Sequence, residues 1–218
     1  SGAAFTVTVN AVDANWNFVN TAVDNVGITS SDVNATLPSS AALVAGTKTF
    51  SVTLKTAGSP TVTASDITTP AMTANTSPSI TVGVAAFAKL QILVPGETAA
   101  PGTTSGKTGT PTAQVAGAAF TVTVNAVDAN WNVVSSTDVV GITSSDVNAT
   151  LPSNAAMVAG TKTFSVTLKT VGSPTVTASD ITDVGKTANT SPSITVGVAA
   201  FAKLQILVPG ETAAPGTT

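Results

Sequence analysis

Two short runs in this sequence set oxygen-bearing side chains at alternate positions, Asp13-x-Asn15-x-Asn17 and Asp128-x-Asn130-x-Asn132. This is the opening of a calcium loop, D-x-[DN]-x-[DN], in which carboxylate and amide oxygens converge on a hard cation. The central Gly and the closing bidentate Glu of the full loop are missing. Calcium, the one cofactor these residues suggest, would therefore need Asp24 or Asp32, and Asp138 or Asp146, to close in. The same run also reads as an Asx-rich hairpin turn whose side chains satisfy nearby backbone groups. Trp16 and Trp131 sit in these turns. They offer large rigid faces for a glycan, for a neighbouring repeat, or for the end of their own domain. Asn34, Asn75, Asn148 and Asn189 each open an N-x-[ST] sequon and so offer possible glycan attachment, although chance matches are common in a chain so rich in Asn and Thr.

Other chemistry is excluded by what is missing. The 218 residues include no His, Cys, Tyr or Arg, and all eight basic residues are Lys. Without thiolate or imidazole there is no usual zinc, haem or iron–sulfur ligation, no disulfide framework, and no Ser-His-Asp or Cys-His nucleophile. The eleven carboxylates form no obvious pair flanking a cleft, so the chain reads as a non-enzyme. A net charge of −3 without Arg argues against nucleic acid as a partner. Mean hydropathy is +0.39, yet no apolar run approaches the 18 or so residues of a membrane span. The hydropathy comes from Val, Ala and Ile interleaved with Thr and Ser, and only 9% of residues are charged. That composition suggests an extracellular or cell-surface protein. No basic–apolar leader precedes Ser1, so a secretion signal is expected to be removed or to lie outside this sequence.

The elements that must position these residues are strands with a period of two. Phe5, Val7, Val9 and Ala11 alternate with Thr6, Thr8 and Asn10; Phe50, Val52 and Leu54 with Ser51, Thr53 and Lys55; Leu90, Ile92 and Val94 with Lys89, Gln91 and Leu93. Shorter alternations run through Val62 and Ala64 and through Ile80 and Val82. Turn chemistry marks 13–17, 37–40, 57–60, 68–71 and 75–79. No window carries a helical stripe. The strands belong to two copies of one unit. Residues 2–17 recur unchanged at 117–132, and 27–38, 47–56 and 74–104 recur at an offset of 114, the last as 188–218. About seven short strands in roughly 100 residues per copy reads as an immunoglobulin-like β-sandwich.

The runs AAFTVTVNAVDANWN, SSDVNATLP and GTKTFSVTLKTAGSPTVTASD resemble the bacterial immunoglobulin-like tandem repeats of large secreted and surface proteins, over essentially the whole chain. The resemblance implies spacer, stalk or lattice roles. It also implies that a unit begins with the strand at 87–97, and that Trp16 and Trp131 stand where such turns often carry Gly.

On that register the expected organisation is all-β. Residues 1–84 form an immunoglobulin-like domain missing its first strand. Residues 85–199 form a complete one with a linker-like loop at 98–117. Residues 200–218 are an orphan strand, the start of a next repeat. An incomplete sandwich leaves an open edge, and Ala202, Leu204, Ile206 and Val208 lie on one face of a strand that fits it. Strand donation to another copy would be heterologous and non-closing, and so would build a head-to-tail homopolymer. Ten extended residues reach roughly 33 Å, which makes return to the same chain's first domain difficult. The alternatives are a continuous repeat array, or an adhesin stalk whose Trp turns bind glycans.

Overall fold

The computed structural model describes residues 1–217; Thr218, the last residue of the expected orphan strand, lies outside the described residues. The described residues are all-β, and among them no helix is long and apolar enough to cross a membrane. It divides into two compact units. One comprises Ser1–Ala85 with Pro101–Thr104, and the other Ala86–Ala100 with Ser105–Thr218.

The first unit contains β1 (Ala4–Asn10), β2 (Asn25–Ser30), β3 (Ala41–Ala42), β4 (Thr47–Thr53), β5 (Val62–Asp66) and β6 (Asn75–Thr76). β1 pairs antiparallel with β4 in a two-stranded sheet, and a second sheet runs β3-β2-β5-β6. Their apolar faces meet over Val26, Ile28, Leu43, Phe50, Val52, Leu54 and Val62. The outer faces carry hydroxyls, as where Thr63 and Thr76 share a hydrogen bond of 2.8 Å across β5 and β6. At the β3–β4 corner Ala45 and Gly46 both adopt positive φ (49° and 75°), giving the type I′ geometry that matches strand twist.

The second unit contains β7 (Lys89–Leu93), β8 (Glu97–Ala99), β9 (Lys107–Gly109), β10 (Gln114–Val115), β11 (Ala119–Val127), β12 (Val139–Ser144), β13 (Ala155–Ala156), β14 (Thr161–Thr167), β15 (Val176–Asp180), β16 (Asn189–Thr190) and β17 (Val196–Gly197). Its four-stranded sheet, β13-β12-β15-β16, copies that of the first unit. The facing sheet has three strands, β14-β11-β7, where the first unit has two. β10 adds a short parallel pairing with β17. Two sheets with this strand arrangement make an immunoglobulin-like sandwich.

Three expectations need correction. The stretch 98–117 is more than a connection: β8 and β9 form a hairpin closed by the Lys107–Glu97 ion pair (2.9 Å), and β10 joins the sandwich. The turn expected at 75–79 begins with β6, because Asn75 and Thr76 complete the edge of the second sheet. Gln91, expected to face water, is buried; its amide donates to the Gly106 carbonyl (2.7 Å) and accepts from Asn125 Nδ2 (2.9 Å). The hairpin at 97–109 supplies that cover, and a period of two on a single strand does not reveal it.

Candidate assembly site

The two units share their β1/β11 sequence, and burial separates them. In the second unit Val122, Val124, Ala126 and Val127 are fully buried. Their counterparts Val7, Val9 and Ala11 are only half-buried, and Val12 is exposed. The difference is one strand. β7 pairs antiparallel with the second edge of β11 in the register Thr123↔Leu93, Val124↔Ile92, Asn125↔Gln91, Ala126↔Leu90 and Val127↔Lys89. The same edge of β1 has no ladder partner among the described residues. Identical side chains thus line a closed core in one unit and an open groove in the other.

β7 also closes the seam to the opposite sheet. Leu90 N–H donates to the Thr187 carbonyl (2.9 Å), and Ile92 N–H donates to Asn189 Oδ1 (2.9 Å). Leu90, Ile92 and Val94 all enter the core. At its start Lys89 Nζ lies over the Trp131 ring and donates to the Ala129 carbonyl (3.0 Å). Burial pushes the Lys89 ammonium below its usual pKa, while the Asp128 carboxylate acts in the opposite sense. Asn75, the counterpart of Asn189, is exposed, and so is Trp16.

Residues 200–217 repeat 86–103, and their side chains lie in water. Leu90 is wholly buried, whereas its copy Leu204 is 89% exposed. Phe201, Ala202, Ile206 and Val208 are exposed as well. The segment expected as an orphan strand carries no ladder in the isolated chain. The physical reason is that a strand exists only against an edge that takes its backbone groups. Its far end is nonetheless held, since Asn148 Nδ2 donates to the Pro215 carbonyl (3.2 Å).

The alternating Asp/Asn runs form tight turns. Asp13 Oδ1 accepts from the N–H groups of Asn15 and Asn17 (both 2.9 Å), and the Asn17 amide donates to both carboxylate oxygens. Asp128, with Asn130 and Asn132, repeats this pattern in a buried setting. The Asn17 hydrogen bonds, side chain first, hold the Asp13 carboxyl below the usual carboxylate range. A calcium ion here would have to displace amide donors already on the carboxylate, and Asp24, Asp32, Asp138 and Asp146 do not join either turn among the hydrogen bonds described. Each turn places its Trp at positive φ, 67° for Trp16 and 68° for Trp131, the left-handed region that Gly adopts most readily.

The sequon asparagines are engaged differently. Asn34 Nδ2 donates to the Pro101 carbonyl (3.1 Å), and Asn148 Nδ2 to Thr170 Oγ1 and Pro215 (both 3.2 Å). A glycan on either nitrogen would displace these contacts. Asn189 Oδ1 holds β7, and Asn75 is open to solvent.

Asp32 and Asp146, named from the sequence as carboxylates that could close a calcium site, instead organise Asn34 and Asn148. Asp32 accepts from the N–H groups of Asn34, Lys55 and Thr56 and from the Thr56 hydroxyl. Asp146 does the same with Asn148, Lys169 and Thr170. Burial raises both carboxyls, but the donors outweigh it and both sit below the usual value. Each lies two residues beyond the end of a strand, β2 or β12, and that position alone does not reveal its partners. Another buried acid, Asp180, is pushed up by burial and by the neighbouring Asp138 carboxylate, and its Oδ2 accepts no hydrogen bond.

No protein-family model matches the sequence, and no curated protein matches it. Solved structures similar to it include the D0-D1 domain of intimin, 17% identical, covering 88% of this chain and 89% of that one with TM-score 0.33. The FdeC adhesin of Escherichia coli is 17% identical and covers 92% of this chain and 60% of its own, with TM-score 0.35. Domains 4 and 5 of the S-layer protein SbsC are 19% identical, covering 80% of this chain and 77% of that one, with TM-score 0.32. Likenesses of this degree say nothing of what the chain binds.

Proposed function

We propose that this chain is a structural element of an extracellular or cell-surface assembly, built head to tail by β-strand donation. Segment 200–208 of one copy enters the groove beside β1 of the next and pairs as β7 pairs with β11. The single observation that carries this reading is the matched pair of surfaces: one amino-acid sequence is fully buried at Leu90, Ile92 and Val94 and exposed at Leu204, Ile206 and Val208. The acceptor edge, β1, repeats the residues that receive β7. Burying three such side chains contributes roughly 1.5–3 kcal/mol each. Five paired residues add a backbone ladder of the kind that gives β-augmentation its affinity. Because donor and acceptor are different surfaces, the contact does not close on itself and growth is linear.

Electron microscopy and sedimentation of the full chain across a concentration series test this. Filaments are expected, with an axial repeat set by two units, and they should vanish in an Ile206→Asp variant, whose substituted residue is exposed in the single chain. A wild-type chain that stays monomeric at high concentration, or filaments indifferent to Ile206→Asp, would remove strand donation.

One observation favours a second reading, that of an adhesin stalk. Trp16 is 71% exposed at the tip of its turn, a placement suited to stacking on a sugar ring. Glycan-dependent change in the fluorescence of Trp16, in a Trp131→Phe background, would support it.

A further inference from the structure

The end of each unit carries a small cradle whose occupant is the same in both. In the second unit, Asp146 lies at the centre. Its Oδ2 accepts from Lys169 N–H (2.7 Å) and Thr170 N–H (2.9 Å), and its Oδ1 from the Thr170 hydroxyl (2.7 Å) and Asn148 N–H (3.1 Å). These bonds fix Thr170 and Asn148, and their side chains meet at 3.2 Å. The surface they form receives Pro215 and Gly216. Asn148 Nδ2 donates to the Pro215 carbonyl, and Gly216 lies so close that a Cβ on it would fall 2.3 Å from Thr170 Oγ1 and 2.8 Å from Asn148 Nδ2. Gly216 also has φ of +82°, which an L side chain rarely adopts. The first unit repeats the arrangement. Asp32 holds Asn34 and Thr56, Asn34 Nδ2 reaches the Pro101 carbonyl, and Gly102, again at φ +82°, would place a Cβ 2.3 Å from Thr56 Oγ1.

We infer that the Asp146–Asn148–Thr170 surface is a peptide-binding site for a Pro-Gly-Thr turn, and that it latches the tail of this chain onto its own unit. The site selects its ligand by chemistry. A proline leaves no N–H to compete at the first position, a free carbonyl accepts the Asn148 amide, and only glycine fits the second position in both shape and backbone angle. The consequence is mechanical. Residues 200–208 are anchored at Val198–Ala199 by chain connection and at Pro215–Gly216 by the cradle, so the apolar segment is carried on a tethered excursion. Strand pairing then orders a loop with both ends already placed, which lowers the entropy cost of association. The latch is a property of the single chain and holds whether or not chains assemble; strand donation gives it a use.

Backbone ¹⁵N relaxation on the full chain, at a concentration where it is monomeric, tests the latch. Gly216 and Thr217 are expected to show order parameters near the rigid value of about 0.85, while residues 203–206 fall below about 0.6. Gly216→Val, which lies outside the sandwich and leaves folding untouched, should release Thr217 to the mobility of 203–206. Asn148→Leu should release Gly216 and Thr217 alike, with the Val176 and Val196 amides as reporters that the sandwich is intact. A wild-type chain in which Gly216 and Thr217 are as mobile as 203–206 overturns the latch and leaves strand donation standing. So does a Gly216→Val chain in which Thr217 remains rigid. A rigid Gly216 in a chain that never assembles supports the latch and counts against donation.

Discussion

Lys89 Nζ stands 3.5 Å from the centroid of the Trp131 ring. That contact helps distinguish the two Trp turns: Lys89 comes from β7, which has no counterpart beside β1 among the described residues, and Gly106 packs against the Trp131 ring as well. Trp16 has the same neighbours in sequence, the same positive φ and no lysine above it among the described residues. Donation of segment 200–208 in the register of β7 brings Lys203, the copy of Lys89, over Trp16.

In a Trp131→Phe background, Trp16 fluorescence is therefore expected to shift to the blue and lose acrylamide quenching as concentration rises. A cation–π contact of ~0.5–1 kcal/mol sets the penalty for Lys203→Ala at about two- to fivefold in the association constant. Unchanged quenching on assembly would show that the groove is filled in another way.

The register itself is open to covalent capture, since the chain contains no cysteine. Asn125 and Gln91 face each other across β11 and β7; their copies are Asn10 and Gln205. A chain with Asn10→Cys and Gln205→Cys should form disulfide-linked ladders on non-reducing gels under mild oxidation. Asn10→Cys paired with Ile206→Cys, whose side chain turns to the opposite face, should link far more slowly. Equal linking of both pairs would reject the register.

The cradle carboxylates make acid stability predictable in sign. Asp146 and Asp32 titrate below their unfolded value because hydrogen-bond donors outweigh burial. Their contribution is present above the unfolded carboxylate pKa of about 3.9 and is lost as pH falls through the folded one. Asp146→Asn turns an amide toward the Lys169 and Thr170 N–H groups and should cost about 1–3 kcal/mol at pH 7. Its thermal midpoint should fall less than wild type between pH 5 and pH 2. A parallel fall would place the acid sensitivity elsewhere.

Asp180 has the opposite sign. Burial and the adjacent Asp138 raise its pKa, and its Oδ2 accepts no donor. The ionised form therefore weakens the fold at neutral pH, and the penalty is relieved as pH falls through the raised value and is gone below the unfolded one. Asp180→Asn, which keeps an acceptor for the Thr182 and Asp183 N–H groups, should stabilise by about 1 kcal/mol at pH 7. The gain should disappear near pH 3, as read by thermal melts. A lower midpoint at pH 7 would mean that the charge is needed.

The paired turns allow an internal comparison. Asp128 is buried and Asp13 exposed, and each accepts from the backbone N–H four residues on, Asn132 and Asn17. Asp128→Ala should cost about 1–3 kcal/mol, whereas Asp13→Ala should leave the melt nearly unchanged. Because amide donors already occupy both carboxylates, calcium at millimolar levels is expected to leave both melting transitions in place. A rise abolished by chelator would restore the cation reading.

The sandwich was legible because Val, Phe and Leu alternate with Thr and Ser at strand period, and because residues 2–17 and 117–132 are identical. What was not legible depends on side chains meeting across distant segments. Gln91 reads as a surface residue until Asn125 and Gly106 close over it. Asp32 and Asp146 read as carboxylates free to close a calcium turn until Thr56 and Thr170 fold back onto them. The 98–117 stretch has the Gly, Pro and Thr of a linker, and only the meeting of Glu97 with Lys107 turns it into a hairpin.

The hydroxyl-clad outer faces have an environmental consequence. The Thr177–Thr190 and Thr63–Thr76 bridges present exposed hydroxyl dipoles, in a chain of which only 9% of residues are charged. Counter-ions screen charges and leave dipoles almost untouched. A coat built this way should stay equally hydrated in fresh water and in brine, where a surface that relied on lysine and glutamate would change its character.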